Sequence, residues 1–333
     1  MTPAEARPLR VLVLDDYEGQ AKEVPAFRKL SARADVTVMN KRLETEEQLG
    51  RALKGIHALL LVRERTRFGE KQFALAPDLK LISQTGRTTA HLDIAEATRR
   101  GIPVAFTATD SGISTVELTF ALILSVLRQI PLIDRRMREE RWAALPGRLL
   151  EGKTLGIIGL GRIGKKIAQI GQVFGTRTLA TGKTLTDLRA NEVGATKVSL
   201  ETLLKESDIV TVHCPLRQET RGLIGAKEFA LMKPGAILIN TARGPIVSES
   251  ALAHALERGH LGGAGLDVYD EEPLPMDHPF RRLDNVVLLP HRGYATMEIL
   301  RERYELAMTN ILSFLDGKPM DLLNPEVLSQ RRK

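Results

Sequence analysis

Three short stretches in the last third of the chain carry side chains whose chemistry is complementary. The run INTARGPIV, residues 239–247, offers a cation in Arg243. GLDVYDEEPLP, residues 265–275, offers a carboxylate in Glu272, and LLPHRGY, residues 288–294, an imidazole in His291. Taken singly, each has a plainer reading: a loop ion pair, a solvated acid, a turn cap. Taken jointly, they supply a group that grips an anion, a group that moves a proton and a group that keeps the proton carrier charged.

Such side chains need a frame, and each stretch follows a candidate strand. Six runs in this part read as strands: Thr154 to Ile158, Thr176 to Ala180, Ile209 to His213, Ala236 to Asn240, Gly263 to Val268 and Val286 to Leu289, with helical patterns in most intervals. Six parallel strands match a doubly wound fold, in which ligands sit beyond the carboxyl ends of the strands. The first strand runs into Gly159-Leu-Gly161-Arg-Ile-Gly164 and then an amphipathic helix from Lys165 to Val173. A strand, this glycine spacing and a helix together indicate a dinucleotide-binding turn, where the helix start receives the pyrophosphate. By contrast, TGKT at residues 181–184 is no phosphate loop, because the glycine that would open one is Arg177 here.

The first hundred residues read as a second α/β unit, with strands at Arg10 to Leu14, Val36 to Met39, His57 to Val62, Leu79 to Ser83 and Ile102 to Phe106. Asp15-Asp16 after its first strand resembles a receiver-type acidic pocket, although paired acids there more often form a turn or cap. A long helix from Ser114 to Trp142, interrupted near Pro131, suits a connector or dimerisation arm. A helix from about Met297 to Leu315 has its natural place back on the N-terminal unit.

Composition narrows the class. With 333 residues and 43% hydrophobic content, two ordinary domains are expected. The net charge of +7 does not indicate nucleic acid, because basic residues alternate with acids, as in residues 135–141, and aromatics make up only 4% of the chain. The start of the chain lacks a signal-type apolar core and no apolar run is long enough to cross a bilayer, so a cytoplasmic protein without a membrane partner is expected. The single cysteine, Cys214, cannot form an internal disulfide and is not expected to be catalytic. No metal site is expected.

In the glycine motif, the Thr-Ala-Arg-Gly turn, the Asp-Val-x-x-x-Glu-Pro loop and the Pro-His-x-Gly turn, the chain resembles the D-isomer-specific 2-hydroxyacid dehydrogenase family. His213-Cys-Pro-Leu and Met232-Lys-Pro-Gly fall between these motifs in the same order. The family includes phosphoglycerate, glyoxylate/hydroxypyruvate and D-lactate dehydrogenases, and the resemblance covers nearly the whole chain. It implies a Rossmann domain, residues 110–293, inserted into a flavodoxin-like α/β substrate domain, residues 1–109 and 294–333. It further implies hydride transfer between a nicotinamide cofactor and a small 2-oxo or D-2-hydroxy acid. Arg243 would hold the substrate carboxylate, His291 would be the acid/base and Glu272 its partner. The remaining six histidines lack such a partner in the pattern, and the nearest rival, His278, reads as loop packing.

The positions expected to meet the cofactor are Gly159, Gly161, Arg162, Ile163, Gly182, Lys183, His213, Thr241 and Asp267; those expected to meet substrate are Gly86, Arg87 and Thr88. The substrate loop departs from the family pattern, with TGRTTAHLD at residues 85–93 in place of a glycine-rich run, and Arg87 is expected to favour substrates with a second anionic or polar group. An acid about 20 residues after the glycine motif normally takes the adenosine 2′-hydroxyl. That place falls near Gly182 and Lys183, so NADP is expected over NAD. A homodimer is expected. The alternative function is a nicotinamide-sensing regulator, like the family's transcriptional corepressors.

Overall fold

A computed structural model describes residues 8–89, 91–107, 112–139, 142, 145–318 and 320–330. The chain divides into two compact units, Met1–Asp110 with Thr296–Lys333, and Ser111–Ala295.

In the first unit the strands are β1 (Leu9–Val13), β2 (Ala34–Val38), β3 (Ala58–Leu61), β4 (Leu81–Gln84) and β5 (Val104–Phe106). They pair in parallel in the order β2-β1-β3-β4-β5, the flavodoxin-like arrangement. Both faces are covered, so the strands read as unbroken apolar runs. Along β1, Val11 and Val13 enter one core while Leu12 and Leu14 enter the other, as the two-residue strand period requires. The helix Met297–Leu315 closes the first of these cores with Tyr304, Ala307, Met308 and Ile311. Asp16 accepts bonds from the Gln20 and Ala21 amides (2.9 and 3.0 Å) and from the Tyr304 hydroxyl (2.8 Å), so this acid closes the turn after β1 and anchors that helix through Tyr304.

The second unit contains β6 (Thr154–Ile158), β7 (Arg177–Thr181), β8 (Thr196–Lys197), β9 (Ile209–Val212), β10 (Ile237–Asn240), β11 (Gly263–Leu266) and β12 (Val286–Leu288). The order is β12-β11-β10-β9-β6-β7-β8, all parallel. Six strands are expected from the sequence and seven are found among the described residues. The extra one, β8, is a two-residue edge strand exposed at both positions, too short and polar to leave a periodic signal. The direction of winding reverses between β6 and β9, which makes their carboxyl ends the crevice where ligands of such sheets bind.

The long helix expected from Ser114 to Trp142 is two helices. Ile113–Leu127 is largely buried, and Ile130–Arg138 follows a 62° bend. The break lies at Arg128–Gln129, where Gln129 is left-handed (φ +53°), and Pro131 sits in the first turn of the second helix, a position that tolerates its missing N–H. Trp142 lies beyond the helix and is exposed. No single described helix is long and apolar enough to cross a membrane, although this bent pair passes that test together. Among the described residues, no cluster of three or more metal-binding side chains occurs.

Candidate active site

β6 ends in the glycine turn, and two of its glycines are fixed by close approach. Gly159 has φ +102°, and a Cβ there would lie 2.6 Å from the Cys214 nitrogen, so the turn packs directly on the segment leaving β9. A Cβ at Gly164 would lie 2.3 Å from the Gly159 carbonyl oxygen. At Gly161, the cap of the 12-residue helix Arg162–Val173, a Cβ would meet nothing within 4 Å. The helix therefore presents its first-turn N–H groups at an open backbone, which suits a pyrophosphate. Ile163 is half-buried against Gly112, and Arg162 is exposed. Thr241, just past β10, is buried and hydrogen-bonds Thr119 across 3.1 Å.

His213 follows β9 beside this turn, its amide bonded to the Ile158 carbonyl at 2.8 Å. Burial holds its ring down to about 3, so it is neutral. Its Nε2 is buried and has no hydrogen-bond partner. An orphaned polar nitrogen normally has a partner in the working protein. The open Gly161 cap and this nitrogen both fit a dinucleotide lying across the ends of β6 and β9. Cys214 beside it is half-buried, and burial raises its thiol, which keeps it unreactive.

At the other half of the sheet, Arg243, Glu272 and His291 follow β10, β11 and β12. His291 is left-handed (φ +54°), which is uncommon for a side chain of its kind and worth its strain where orientation matters. Its Nδ1 donates to Glu272 Oε2 at 2.7 Å. The other Glu272 oxygen accepts the Tyr269 amide at 3.0 Å. Burial pushes the Glu272 carboxyl up, but the His291 bond and charge, the Tyr269 amide and the Arg243 guanidinium outweigh it and leave the group below the usual carboxylate range. Glu272 is thus an anion at neutral pH, hydrogen-bonded to the imidazole.

Asp267, one residue past β11, is buried, and its two oxygens accept the amides of Arg292 (2.6 Å) and Gly293 (2.7 Å). Thr115 donates to the Gly293 carbonyl at 3.0 Å. Burial raises the Asp267 carboxyl, only partly offset by those two amides. The acid expected to meet the cofactor therefore also clamps the turn that aims His291. Arg243 is half-buried, and its Nη1 donates to the Ala242 carbonyl at 2.6 Å, which anchors one corner of the guanidinium fork. Behind it, a Cβ on Gly244 would sit 2.0 Å from the Tyr269 carbonyl carbon. Only glycine lets the Arg243 turn nest against the loop that carries Glu272.

His278 corrects a sequence expectation, because it does have a carboxylate partner. Its Nε2 lies 3.2 Å from Glu249 Oε2, while its Nδ1 accepts the Phe280 amide at 3.3 Å. Both ring nitrogens are thereby committed, and this pair braces a loop. At His291, no protein group bonds Nε2 among the described residues. Glu249, whose other oxygen accepts the Asp270 amide, and Tyr269, whose hydroxyl donates to the Leu289 carbonyl, were both invisible to sequence reasoning.

Past β7, Gly182 and Lys183 follow Thr181 directly, and the Lys183 ammonium lies 3.3 Å from Glu219. Asp187, the nearest acid downstream, is the first residue of the next helix, which Thr186 caps, and faces Lys197 at 3.5 Å. In the first unit, the Gln84 amide donates to the carbonyls of Gly86 and Thr88 (3.0 and 3.1 Å), and Thr107 accepts the Gly86 amide. The Arg87 guanidinium stacks 4.5 Å above the Phe106 ring.

Comparison with known proteins agrees with this geometry. Residues 120–293 match the NAD binding domain of the D-isomer specific 2-hydroxyacid dehydrogenases. The chain is 44% identical over 264 residues to the glyoxylate reductase of Thermococcus litoralis, covering 76% of this chain and 80% of that protein. The phosphoglycerate oxidoreductase of Vibrio cholerae o395 superposes with a TM-score of 0.85 at 34% identity, covering 93% of this chain and 99% of the other. The D-lactate dehydrogenase of Aquifex aeolicus, solved with NAD and lactic acid, superposes at 0.74 and 28% identity, covering 92% and 96%. By its fold, its glycine turn and these likenesses, the chain belongs to the D-isomer-specific 2-hydroxyacid dehydrogenase family.

Proposed function

We propose that this enzyme reduces a small 2-oxo acid to the D-2-hydroxy acid, with His291 as the acid/base. The observation that carries the reading is the His291–Glu272 pair on a left-handed turn clamped by Asp267. The nicotinamide, when bound, supplies the hydride. Arg243 grips the substrate carboxylate with the part of its fork not tied to Ala242 and polarises the neighbouring carbonyl. His291 hands the proton from Nε2 to the carbonyl oxygen, while Glu272 stabilises the imidazolium through Nδ1. In the reverse direction the neutral ring takes the proton back. Turnover with a panel of 2-oxo acids tests the reading, and coenzyme binding with no turnover on any of them would favour the regulatory alternative, which no observation here supports.

Glu272→Gln should move the alkaline fall of the reduction rate to lower pH. Reduction draws a proton from the ring, and Glu272 is the anion hydrogen-bonded to that ring at 2.7 Å. Oxidation, which needs the neutral ring, should gain at the same pH. An unmoved limb in a folded variant rules out the pairing role.

The units divide this work in the proposal: residues 110–293 bind the dinucleotide, and residues 1–109 with 294–333 form the substrate domain. Gly159, Gly161, Arg162, Ile163, His213, Thr241 and Asp267 are assigned to the coenzyme, and Gly86, Arg87 and Thr88 to substrate. The Gln84 side-chain amide ties this loop through the carbonyls of Gly86 and Thr88. Arg87→Ala should raise KM most for 2-oxo acids with a second anionic or polar group; equal changes for small and large substrates would count against it.

NADP is the proposed preferred coenzyme. Gly182 and Lys183 stand where a 2′-hydroxyl-binding acid would, and Asp187 is engaged with Lys197. Wild-type kcat/KM should be higher with NADPH than NADH, and Lys183→Asp should shrink or reverse the ratio. A clear wild-type preference for NADH refutes this. The enzyme is further proposed to be a cytoplasmic homodimer, supported by Ile130 and Met137, large apolar side chains exposed on the helix Ile130–Arg138. Sedimentation of the purified chain tests the dimer.

A further inference from the structure

The Lys183–Glu219 pair joins two loops that leave the sheet on opposite sides of β6. Lys183 follows β7 and Glu219 follows β9, and β6 lies between those strands, with Ile158 level with both Thr181 and Val212. Adjacent strands are about 4.8 Å apart, so β7 and β9 stand about 10 Å from each other. The two side chains close that interval above the end of the strand that carries the glycine turn, and they do so in solvent, with 80% and 59% of their surfaces exposed. An exposed pair of this kind is weak and exchanges readily.

A second cation is tied to the same turn. Arg189, on the short helix that follows, donates from Nη1 to the Thr184 carbonyl at 3.1 Å. The rest of its planar fork remains for an oxyanion, a geometry that suits phosphate. Hydrogen bonding within its own main chain and then the Lys183 ammonium hold the Glu219 carboxyl below the usual range, so Glu219 is an anion. A carboxylate and a phosphate at one ammonium repel each other.

We infer that Lys183, Arg189 and Glu219 form a coenzyme selector, in which the two cations bind an adenosine 2′-phosphate and Glu219 opposes it by competing for Lys183. This rests on the assignment of the dinucleotide to the β6 turn, and it adds Arg189 and Glu219 as specificity determinants. A coenzyme with a free 2′-hydroxyl leaves the Lys183–Glu219 pair intact. One with a 2′-phosphate takes Lys183 from Glu219 and adds Arg189. Glu219 thus sets how strongly the enzyme discriminates, although it stands 36 residues from Lys183 in the chain.

Calorimetric titration of the full chain with adenosine 2′,5′-bisphosphate and with 5′-AMP, which differ only in the 2′-phosphate, tests the selector. Glu219→Gln should tighten the bisphosphate by about fivefold and Arg189→Ala should weaken it by about as much, the scale of exposed charge interactions. Affinity for 5′-AMP should stay within about twofold in both variants, because neither contact involves the shared part of the two ligands. Parallel changes in both ligands, or no change in the bisphosphate, overturn the selector. If the wild type binds neither nucleotide, the dinucleotide assignment falls with it.

Discussion

Replacing His291 by Gln should lower kcat for reduction by about 10²- to 10⁴-fold, the usual contribution of a positioned general acid, while coenzyme affinity measured by titration stays unchanged. The reason is local. His291 Nδ1 is spent on Glu272, and no protein group bonds Nε2 among the described residues, so Nε2 is the one point from which this cluster can deliver a proton. Glutamine fills a similar space but has no proton to give at neutral pH. The turn should survive, because Asp267 grips it through the backbone of Arg292 and Gly293 rather than through the ring. A variant that melts like the wild type and retains more than about a tenth of its kcat would remove His291 from the proton-transfer role.

Arg243→Ala is expected to cost about 10² to 10³ in kcat/KM, comparable to deleting a positioned donor from an anion-stabilising site. Part of the loss is substrate binding and part is polarisation of the carbonyl, so both KM and kcat should worsen. Arg243→Lys keeps the charge but not the planar fork, and it should recover only a minor share. Full recovery by Lys would mean that a point charge suffices and that the two-pronged grip is wrong. Thermal stability should change little in either variant, since the bond from the Asn240 side-chain amide to the Arg243 carbonyl does not depend on the Arg243 side chain.

Much of this arrangement is legible in the sequence, and the parts that are not share a physical cause. The strand Thr154–Ile158 has the same bounds in the sequence pattern and in the fold, because a fully buried parallel strand is an apolar run bounded by turn residues. The Arg243, Glu272 and His291 turns stood out because each combined glycine or proline with a charged or titratable side chain just after such a run. The two-residue strand Thr196–Lys197 carries no period at all. The helix break at Gln129 uses a left-handed residue other than glycine, which composition does not mark. Partners distant in the chain were also out of reach: Glu249 for His278, Glu219 for Lys183, and the Arg292 and Gly293 amides for Asp267. Each of these is set by which loops the sheet order brings together, and strand order is a property of the fold rather than of any local stretch.

The proposed reaction is direct hydride transfer to the carbonyl carbon of a 2-oxo acid beside the His291–Glu272 pair. Reduced coenzyme carrying deuterium at the transferring carbon of the nicotinamide, incubated with enzyme and the best 2-oxo acid from the substrate panel, makes that transfer visible when the product is examined by NMR and chiral chromatography. The prediction is one deuterium at C2 of the D-2-hydroxy acid for each coenzyme oxidised. An L-configured product, or coenzyme oxidation that leaves no deuterium at C2, would contradict it.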